Sequence, residues 1–301
     1  MSSTQTINLA QVTLETPLYI TGAETRIACR NNEYTKSTSG LAPTYLQANL
    51  VVLPSKYAAD FRNLCARNPV PCPLIAESAE TGSFSQLKSY LPRVSGTEIA
   101  TELDLRTDCP RFNVYNGPRL VGESVSDIKS QWTKDHVAFV IGCSQSFESA
   151  LVRSGLEIRH IIQDRTVPMY RTNVPLNAAG VFSGSTYVVS MRPFREADIA
   201  TVREITKHYL PTHGEPIAWG WDSVARLGIS DINKVQWGHA PLTRDDRPLG
   251  DVFGDEDNVP VFWGCGVTPQ EAVMKAPLEG TIMAHAPGMM LMLDCREDDV
   301  L

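Results

Sequence analysis

Several common features are missing from this 301-residue sequence, and each absence excludes a class of protein. Its longest apolar stretches, Ala48–Leu53 and Val259–Trp263, are far shorter than the ~20 residues that a membrane-spanning helix needs. Residues 1–25 contain no lysine, no arginine and no apolar core, so neither a secretory signal nor a mitochondrial presequence is expected. The formal net charge of -7 gives no basic footprint for nucleic acid or anionic lipid. We therefore expect a cytoplasmic protein without nucleic-acid or membrane partners.

Cofactor motifs are also missing. The sequence has neither a glycine-rich dinucleotide fingerprint nor a P-loop, so NAD, FAD and ATP are not supported. Its seven cysteines are odd in number, form no C-x-x-C pair and have no histidine at metal-ligand spacing, which favours reduced thiols over disulfides or zinc. We expect no cofactor and no metal, with a metal site assembled from distant turns left open.

One motif occurs twice, in Val137–Leu151 and in Val259–Val273. Each copy has a short apolar run, a Gly-Cys pair, a small polar linker and the start of a helix. The continuous apolar run predicts a strand that is buried on both faces of a mainly parallel sheet. A structural duplication with two inert, buried cysteines is the alternative. Without gaps the copies align Gly142 with Gly264, Cys143 with Cys265, Ser146 with Thr268, and Ala150 with Ala272.

The linkers predict where the two helices begin. Ser146 and Thr268 stand where an N-cap is expected, and Pro269 follows at the first helical position, where its missing N–H costs nothing.

Between the copies the pattern changes to that of a smaller unit with two strands, a helix and a third strand. We predict an α/β fold, with a three-layer mixed-sheet main domain (residues 1–155 plus 241–301) and a smaller two-layer α+β domain (156–240). The acidic Thr243–Asn258 segment is predicted as a surface loop, either a lid or an inert insertion. The predicted elements include strands at Ala48–Leu53, Glu157–Ile162, Thr186–Met191 and Pro216–Trp219, and helices at Lys56–Arg67, Ser126–His136, Phe147–Ser154 and Arg195–Tyr209.

Seven segments, in order from about Leu41 to Asp294, carry a resemblance to a known family: Asn68–Leu74, Leu105–Pro110, Gly142–Glu148, Val167–Asn173, Val188–Pro193, Val259–Gln270 and His285–Gly288. In these segments the chain resembles the D-glutamate cyclase family, many of whose bacterial and fungal members are named only as hydro-lyases. The resemblance implies an α/β fold with a three-layer and a two-layer part, and reversible loss of water from D-glutamate to give 5-oxo-D-proline. Three positions depart from the family pattern: Ala218 and Met289 stand where histidine is common, and His239 where an acidic residue is usual.

Dehydration requires a base, an acid and donors for a developing oxyanion. Glu148, in the first turn of its helix, is the candidate base, or else a capping residue. His285, at a strand end, is the first candidate for a titrating acid/base, and His213 is the second. Cys143 and Cys265 precede helix N-termini, where a thiol pKa is lowered, although one of them is expected to be only packed.

The candidate binding residues are arginines, hydroxyls and amides. An arginine fork matches a carboxylate, but for each arginine a structural ion pair is an equal alternative, which for Arg106 would be a pair with Asp108. Because Ser144 and Glu148 align with Gly266 and Gln270, the first copy is expected to transfer protons and the second to bind through backbone amides. The set comprises Arg106, Asp108, Ser144, Ser146, Tyr170, Arg171, Asn173, Arg192, Gly266 and Thr268.

These observations predict a cofactor-independent hydro-lyase, or lactam-forming cyclase, that acts on a small carboxylate-bearing, amino-acid-like substrate in the cleft between the domains. Two alternatives remain: a dehydratase or cyclase of specialised metabolism with a different substrate, and a non-catalytic ligand-binding protein. A homo-oligomer is an open question.

Overall fold

Two antiparallel sheets organise the computed structural model, which describes residues 19–300. Residues 1–18, part of the predicted main domain, lie outside the described residues. None of the helices between residues 19 and 300 combines the length and apolar character needed to cross a bilayer. The α-helices are α1 (Gly22–Arg30), α2 (Ala58–Arg67), α3 (Gly96–Ile99), α4 (Glu148–Arg153), α5 (Arg159–Ile162), α6 (Ile199–Thr206), α7 (Asp222–Arg226) and α8 (Val267–Lys275).

The larger sheet has eight strands in the order β3-β2-β6-β1-β11-β4-β5, and β12 also pairs with the long β1. One face of β1 places Leu50 and Val52 in one core cluster, and the other face places Val51 and Leu53 in a second cluster against α2 and α8. The strands are β1 (Tyr45–Pro54), β2 (Leu74–Ser78), β3 (Leu87–Ser89), β4 (Phe112–Asn116), β5 (Arg119–Val125), β6 (His136–Gly142), β7 (Met169–Pro175), β8 (Thr186–Phe194), β9 (Ala218–Trp219), β10 (Val259–Gly264), β11 (Thr281–His285) and β12 (Leu291–Arg296).

The smaller sheet has the order β7-β8-β10-β9. Val261 and Trp263 pack on α4 and α6, whereas Phe262 points to the opposite face, where Trp221 lies in a second cluster. Apolar clusters therefore cover both faces of the smaller sheet. The combination of helices and sheets confirms the predicted α/β class.

The two Gly-Cys strands, β6 and β10, lie in different sheets. Strand β6 runs antiparallel to β1, and β10 runs antiparallel to β8, with Val261 opposite Arg192. The expectation of a mainly parallel or mixed sheet around these strands is wrong, because a continuous apolar run reports burial on both faces and not the direction of the neighbouring strand. The domain boundaries stay a prediction, but β10, predicted in the main domain, pairs with strands of the smaller unit.

The repeat extends beyond the two turns. The large sheet contains the neighbours β2-β6-β1, and the small sheet contains β9-β10-β8 in the same order. In both cases the first strand of the unit (β1 or β8) leads through a 3₁₀ turn into a helix (α2 or α6) and then into the outer strand (β2 or β9). The predicted duplication of architecture therefore covers three strands of each sheet and the helix that connects two of them.

Two predicted elements are absent from the described residues. Ser126–His136 is not a helix but contains two hydrogen-bonded turns, from the Trp132 N–H to the Ile128 carbonyl at 3.0 Å and from the His136 N–H to the Thr133 carbonyl at 3.2 Å. The predicted strand Glu157–Ile162 contains instead the one-turn helix α5, which ends before Asp164 at a positive φ of 48°. Each segment offers too few apolar positions for periodicity to decide its conformation.

Candidate functional site

The two Gly-Cys turns have the same local hydrogen bonds. The Ser146 N–H donates to the Cys143 carbonyl at 3.1 Å, and the Thr268 N–H donates to the Cys265 carbonyl at 2.9 Å. The repeat in sequence is therefore also a repeat in backbone geometry.

The side-chain hydroxyls of Ser146 and Thr268 bind neighbouring strands. Ser146 Oγ accepts from the Gln47 N–H at 3.0 Å and donates to the Gln47 carbonyl, and Thr268 Oγ1 makes the same two contacts with Val188. The expected N-caps are wrong, because these hydroxyls satisfy main-chain groups of β1 and β8 instead. Helix α8 begins at Val267, so Pro269 is its third residue.

Each turn also contacts the other half of the repeat. Ser144 Oγ lies 3.3 Å from Ser190 Oγ on β8, while Gly266 faces Asn49 on β1, whose Nδ2 donates to the Gly142 carbonyl at 3.0 Å. A Cβ atom at Gly266 would lie 1.7 Å from Asn49 Nδ2. A Cβ atom at this position would therefore displace the Asn49 amide from its place between the two turns.

The first Gly-Cys turn and strand β8 together form a buried ion pair, which we call the Arg192–Glu148 centre and define as Arg192, Glu148, Ser144, Ser190 and His160. Arg192 Nε donates to Glu148 Oε1 at 2.8 Å, and its Nη2 contacts the same oxygen. Nη1 donates to Ser190 Oγ at 3.1 Å and Nη2 to Ser144 Oγ at 3.2 Å. His160 Nε2 lies 3.3 Å from Glu148 Oε1 without hydrogen-bond geometry.

Opposing effects set the charge of Glu148. Burial raises its pKa, but the positive charge of Arg192 and the contact with His160 outweigh burial, so the pKa lies below its usual value. The carboxylate is therefore ionised at neutral pH. Its other oxygen, Oε2, is buried and has no hydrogen-bond partner among residues 19–300.

A cavity of 220 Å³ adjoins this centre. Glu148 and Gln145 border it together with Gln47, the Gly40–Tyr45 segment and Val152. Gln145 Oε1, like Glu148 Oε2, is buried without a partner among the described residues. Drug-sized ligands occupy sites of roughly 300–1,000 Å³, so this cavity has the size for a smaller molecule.

The two cysteines do not have the predicted low pKa. Burial raises the pKa of Cys143 to about 12 and that of Cys265 to about 11. Backbone N–H groups at the helix starts and the Arg192 charge act in the opposite direction but do not outweigh burial. The expectation of reactive thiolates is wrong because the turns that carry them are enclosed by both sheets.

The two predicted acid/base histidines are also buried. Burial lowers the pKa of His213 and of His285 to about 4, so neither titrates near neutral pH. His213 Nδ1 lies 2.8 Å from the Val70 carbonyl. His285 Nδ1 accepts from the Leu50 N–H at 3.1 Å and lies 2.8 Å from Gln270 Nε2.

Glu148 and Gln270, which align in the repeat, each contact a histidine. Glu148 lies beside His160 and a guanidinium, whereas Gln270 holds His285 in a neutral environment. Of the two aligned positions, only the first therefore carries a charge. His160 is the histidine that contacts Glu148.

Arg106 and Asp108 do not pair with each other but form ion pairs with other residues. Arg106 forms a bidentate ion pair with Asp104 and lies over the Phe84 ring at 3.3 Å. Asp108 is bound by Arg30 at 2.9 Å. Arg106 and Asp108 are therefore ion-pair residues near α1 and β3. Among residues 19–300, neither forms a hydrogen bond or ion pair with the Arg192–Glu148 centre.

Tyr170, Arg171 and Asn173 likewise have structural contacts. The Tyr170 hydroxyl donates to the Ile232 carbonyl at 2.6 Å, and Arg171 pairs with Glu271 on α8 at 2.7 Å. Asn173 lies against Gly228, where a Cβ would come within 3.1 Å of it. The expected carboxylate clamp around Arg171 is thus occupied by a side chain of the protein itself.

Sequence reasoning missed Asn49, Ser190, Gln145 and, as a site residue, His160. Ser190 and Asn49 lie on strands β8 and β1, and only the antiparallel pairing brings them to the turns. The ungapped alignment of the repeat did identify the Gly-Cys turns that Ser190 and Asn49 contact. Within residues 19–300, no group of three or more histidines, cysteines, aspartates or glutamates is arranged to hold a metal ion.

Comparison with known proteins identifies the family of this chain. The family model described as D-glutamate cyclase matches residues 137–294. A Schizosaccharomyces pombe protein named "Putative hydro-lyase" is 44% identical over 90% of this chain and 83% of its own length. Proteins of the same name from Bradyrhizobium diazoefficiens (41% identity, 97% of both chains) and Staphylococcus haemolyticus (41%, 90% of this chain and 94% of its own) are similar over nearly the whole sequence.

Among solved structures, a nitrogen repressor-like protein from Methanococcus jannaschii aligns with 87% of this chain and 95% of its own at 10% identity and a TM-score of 0.33, which is too slight a likeness to transfer a function. The family and the names of the relatives support a hydro-lyase or D-glutamate cyclase-like function.

Proposed function

Since this chain belongs to the D-glutamate cyclase family, we propose that it is a cofactor-independent hydro-lyase whose reaction takes place beside the Arg192–Glu148 centre. The observation that supports this location is a buried, ionised carboxylate with one partnerless oxygen, at the border of a small cavity. Catalytic groups are often held in this way, with a perturbed pKa and a fixed charge partner.

The proposed reaction interconverts D-glutamate and 5-oxo-D-proline. In the cyclising direction the amine nitrogen forms a bond with the side-chain carboxyl carbon, one C–O bond breaks, and water leaves. Two of the three ammonium protons end on the departing oxygen. A base must therefore free the amine, and an acid must protonate the oxygen as it leaves.

Glu148 is suited both to accept protons from the ammonium group and to donate them to the departing oxygen. Its Oε2 takes a proton from the ammonium group and returns it to the departing oxygen, while Arg192 keeps Oε1 in place and stabilises negative charge that develops on the substrate. Ser144 and Ser190 fix the guanidinium in turn. His160, 3.3 Å from Oε1, is placed to share charge with the carboxylate as its protonation changes.

The substrate is tested directly. The purified protein is incubated separately with D-glutamate and with 5-oxo-D-proline, and interconversion is followed by chiral chromatography. We expect turnover of the D-enantiomers and none of the L-enantiomers. No conversion of either D-compound would exclude this substrate pair.

The residues are tested by matched substitutions. Glu148→Gln should lower kcat by about 10²–10⁴-fold because it removes the proton acceptor while preserving shape. The control is Glu271→Gln, which removes another arginine-paired carboxylate from the second repeat's helix α8, and it should retain activity. Equal losses in the two variants would contradict the assignment.

A second candidate is a dehydration or cyclisation of a different small carboxylate. It is favoured by the departures at Ala218, His239 and Met289, of which His239 borders a small cavity together with His160. Testing the same variants on a panel of hydroxy and amino acids distinguishes this candidate from the D-glutamate reaction. Turnover of a compound other than D-glutamate that depends on Glu148 would support the second candidate. If no compound is converted and Glu148→Gln changes no ligand affinity, a non-catalytic binding protein is favoured instead.

A further inference from the structure

Arg159, in the one-turn helix α5, is a buried arginine without a carboxylate partner. The residue is 8% exposed, and among residues 19–300 no aspartate or glutamate oxygen lies within salt-bridge distance of its guanidinium. Its Nη1 donates to Asn258 Oδ1 at 2.9 Å and reaches the Leu242 carbonyl at 3.4 Å. These two contacts hold the Nη1 atom of the guanidinium in place.

The opposite edge of the same guanidinium is free. Nε is buried and has no hydrogen-bond partner in the described part of the chain, and Nη2 makes no hydrogen bond there. The Nε–Nη2 edge is one of the two forks with which arginine binds both oxygens of a carboxylate. Burying a cation without a counter-charge is costly, so a free fork at a buried arginine favours an anionic group from outside the chain.

The free arginine borders a cavity of 710 Å³ that is separate from the cavity at Glu148. Most charged neighbours there already have partners. Arg195 pairs with Asp198 at 2.7 Å, and Arg244 pairs with Glu157. Arg159 therefore differs from the other arginines that border this cavity, all of which have carboxylate partners.

Acidic groups at the same cavity indicate which kind of carboxylate would fit. Asp255 is occupied by hydrogen bonds from Asn258 Nδ2 and from the Asp257 N–H. The exposed Asp257 carboxylate has no ion pair within residues 19–300 and lies next to Asn258, which holds Arg159. Positive and negative groups so placed suit a molecule that carries both a carboxylate and an ammonium group.

We propose that Arg159 forms a second binding subsite, which takes the carboxylate of a small molecule, and takes it best from a zwitterion such as an α-amino acid. The carboxylate oxygens accept hydrogen bonds from Nε and Nη2. This subsite goes beyond the proposed function. It also adjoins the Arg192–Glu148 centre, because the next residue along α5 is His160, which lies 3.3 Å from Glu148.

Binding is measured by isothermal titration calorimetry without turnover, so its outcome is independent of whether the proposed reaction occurs. The probes are acetate, glycine and inorganic phosphate at constant ionic strength, with acetamide as the uncharged control. We expect saturable binding of glycine and acetate with a dissociation constant on the order of 1 mM, glycine being the tighter, and none of acetamide.

Two variants and a control locate the site. Arg159→Met should abolish binding, and Arg159→Lys, which keeps the charge but loses the fork, should weaken it by about tenfold or more even if the methionine variant does not fold. Arg195→Met, an exposed arginine at the same cavity, should change the affinity less than about twofold. Absence of saturable carboxylate binding, binding of phosphate alone, or an affinity unchanged in Arg159→Lys would overturn the proposal.

Discussion

Replacing Arg192 by methionine should strongly destabilise the protein, because it leaves the Glu148 carboxylate buried without a counter-ion. The arginine is fully buried, Glu148 is 3% exposed, and the substitution removes the hydrogen bonds to Glu148, Ser144 and Ser190. Breaking one partner of a buried pair costs about 3–5 kcal/mol. The guanidinium also lies over the Phe147 and Trp263 rings, at 5.2 and 5.4 Å, so the loss should fall in the upper part of that range.

The pH dependence supplies a second signature. In the wild type the pKa of Glu148 is below its unfolded value of 4.5, so the stability that it contributes is present above pH 4.5 and is lost as the pH falls through the folded-state pKa. In Arg192→Met the contact with His160 alone opposes burial, and we expect burial to raise the pKa of Glu148 above that of the unfolded chain. The destabilisation should then shrink on going from pH 7 to pH 5, by at most about 1.4 kcal/mol per pH unit.

The measurement is urea denaturation of both proteins at pH 7 and pH 5. The matched control is Arg171→Met, which breaks the Arg171–Glu271 pair, whose arginine side chain is 47% exposed and which should cost about 1 kcal/mol or less. A double variant that adds Glu148→Gln should recover much of the loss. If Arg192→Met costs no more than the control and its loss is the same at both pH values, the reasoning about a buried, charged centre is wrong.

Three further predictions concern the turns and the buried titratable groups. Gly142→Ala places a Cβ 1.8 Å from the Pro211 carbonyl oxygen and should cost about 3 kcal/mol or more in urea denaturation, whereas Gly155→Ala, at φ +81° with open space, should cost about 1 kcal/mol. Since the folded pKa of His213 is about 4, the unfolded chain binds its proton first and stability falls as the pH drops from 6.5 toward 4; His213→Gln should reduce this slope by up to about 1.4 kcal/mol per pH unit, and an unchanged slope would contradict it. Cys143 and Cys265 should react with a disulfide reagent only after unfolding, and rapid labelling of either in the native protein would show that its pKa is not raised.

The elements that the sequence predicted well are those with long, unambiguous apolar runs. The strand Ala48–Leu53 lies within β1, and Thr186–Met191 lies within β8, because several consecutive β-branched or large apolar residues leave few alternatives. The predictions failed at Glu157–Ile162, where three apolar residues in six fit a strand as well as a single helical turn. That error also hid Arg159 and His160, whose positions depend on the helix.

The candidate site was predicted in part. Glu148, Ser144 and Arg192 were all named from the sequence, and the structure brings them into one hydrogen-bonded cluster. The roles expected for Cys143 and His285 were wrong because a pKa depends on burial, and no motif reports how deeply a turn is enclosed.

What the sequence by itself determined is the repeat: two apolar strands, two Gly-Cys turns and the asymmetry of Glu148 against Gln270. Chemical identity and spacing along the chain are local properties, and they are readable without a structure. Only the tertiary structure decided that the two strands belong to different sheets, that Arg192 on β8 meets Glu148 on α4, and that Arg159 has no carboxylate partner among residues 19–300. Those contacts join residues far apart in the chain, and their electrostatics depend on burial, which exists only after the sheets and helices have packed together.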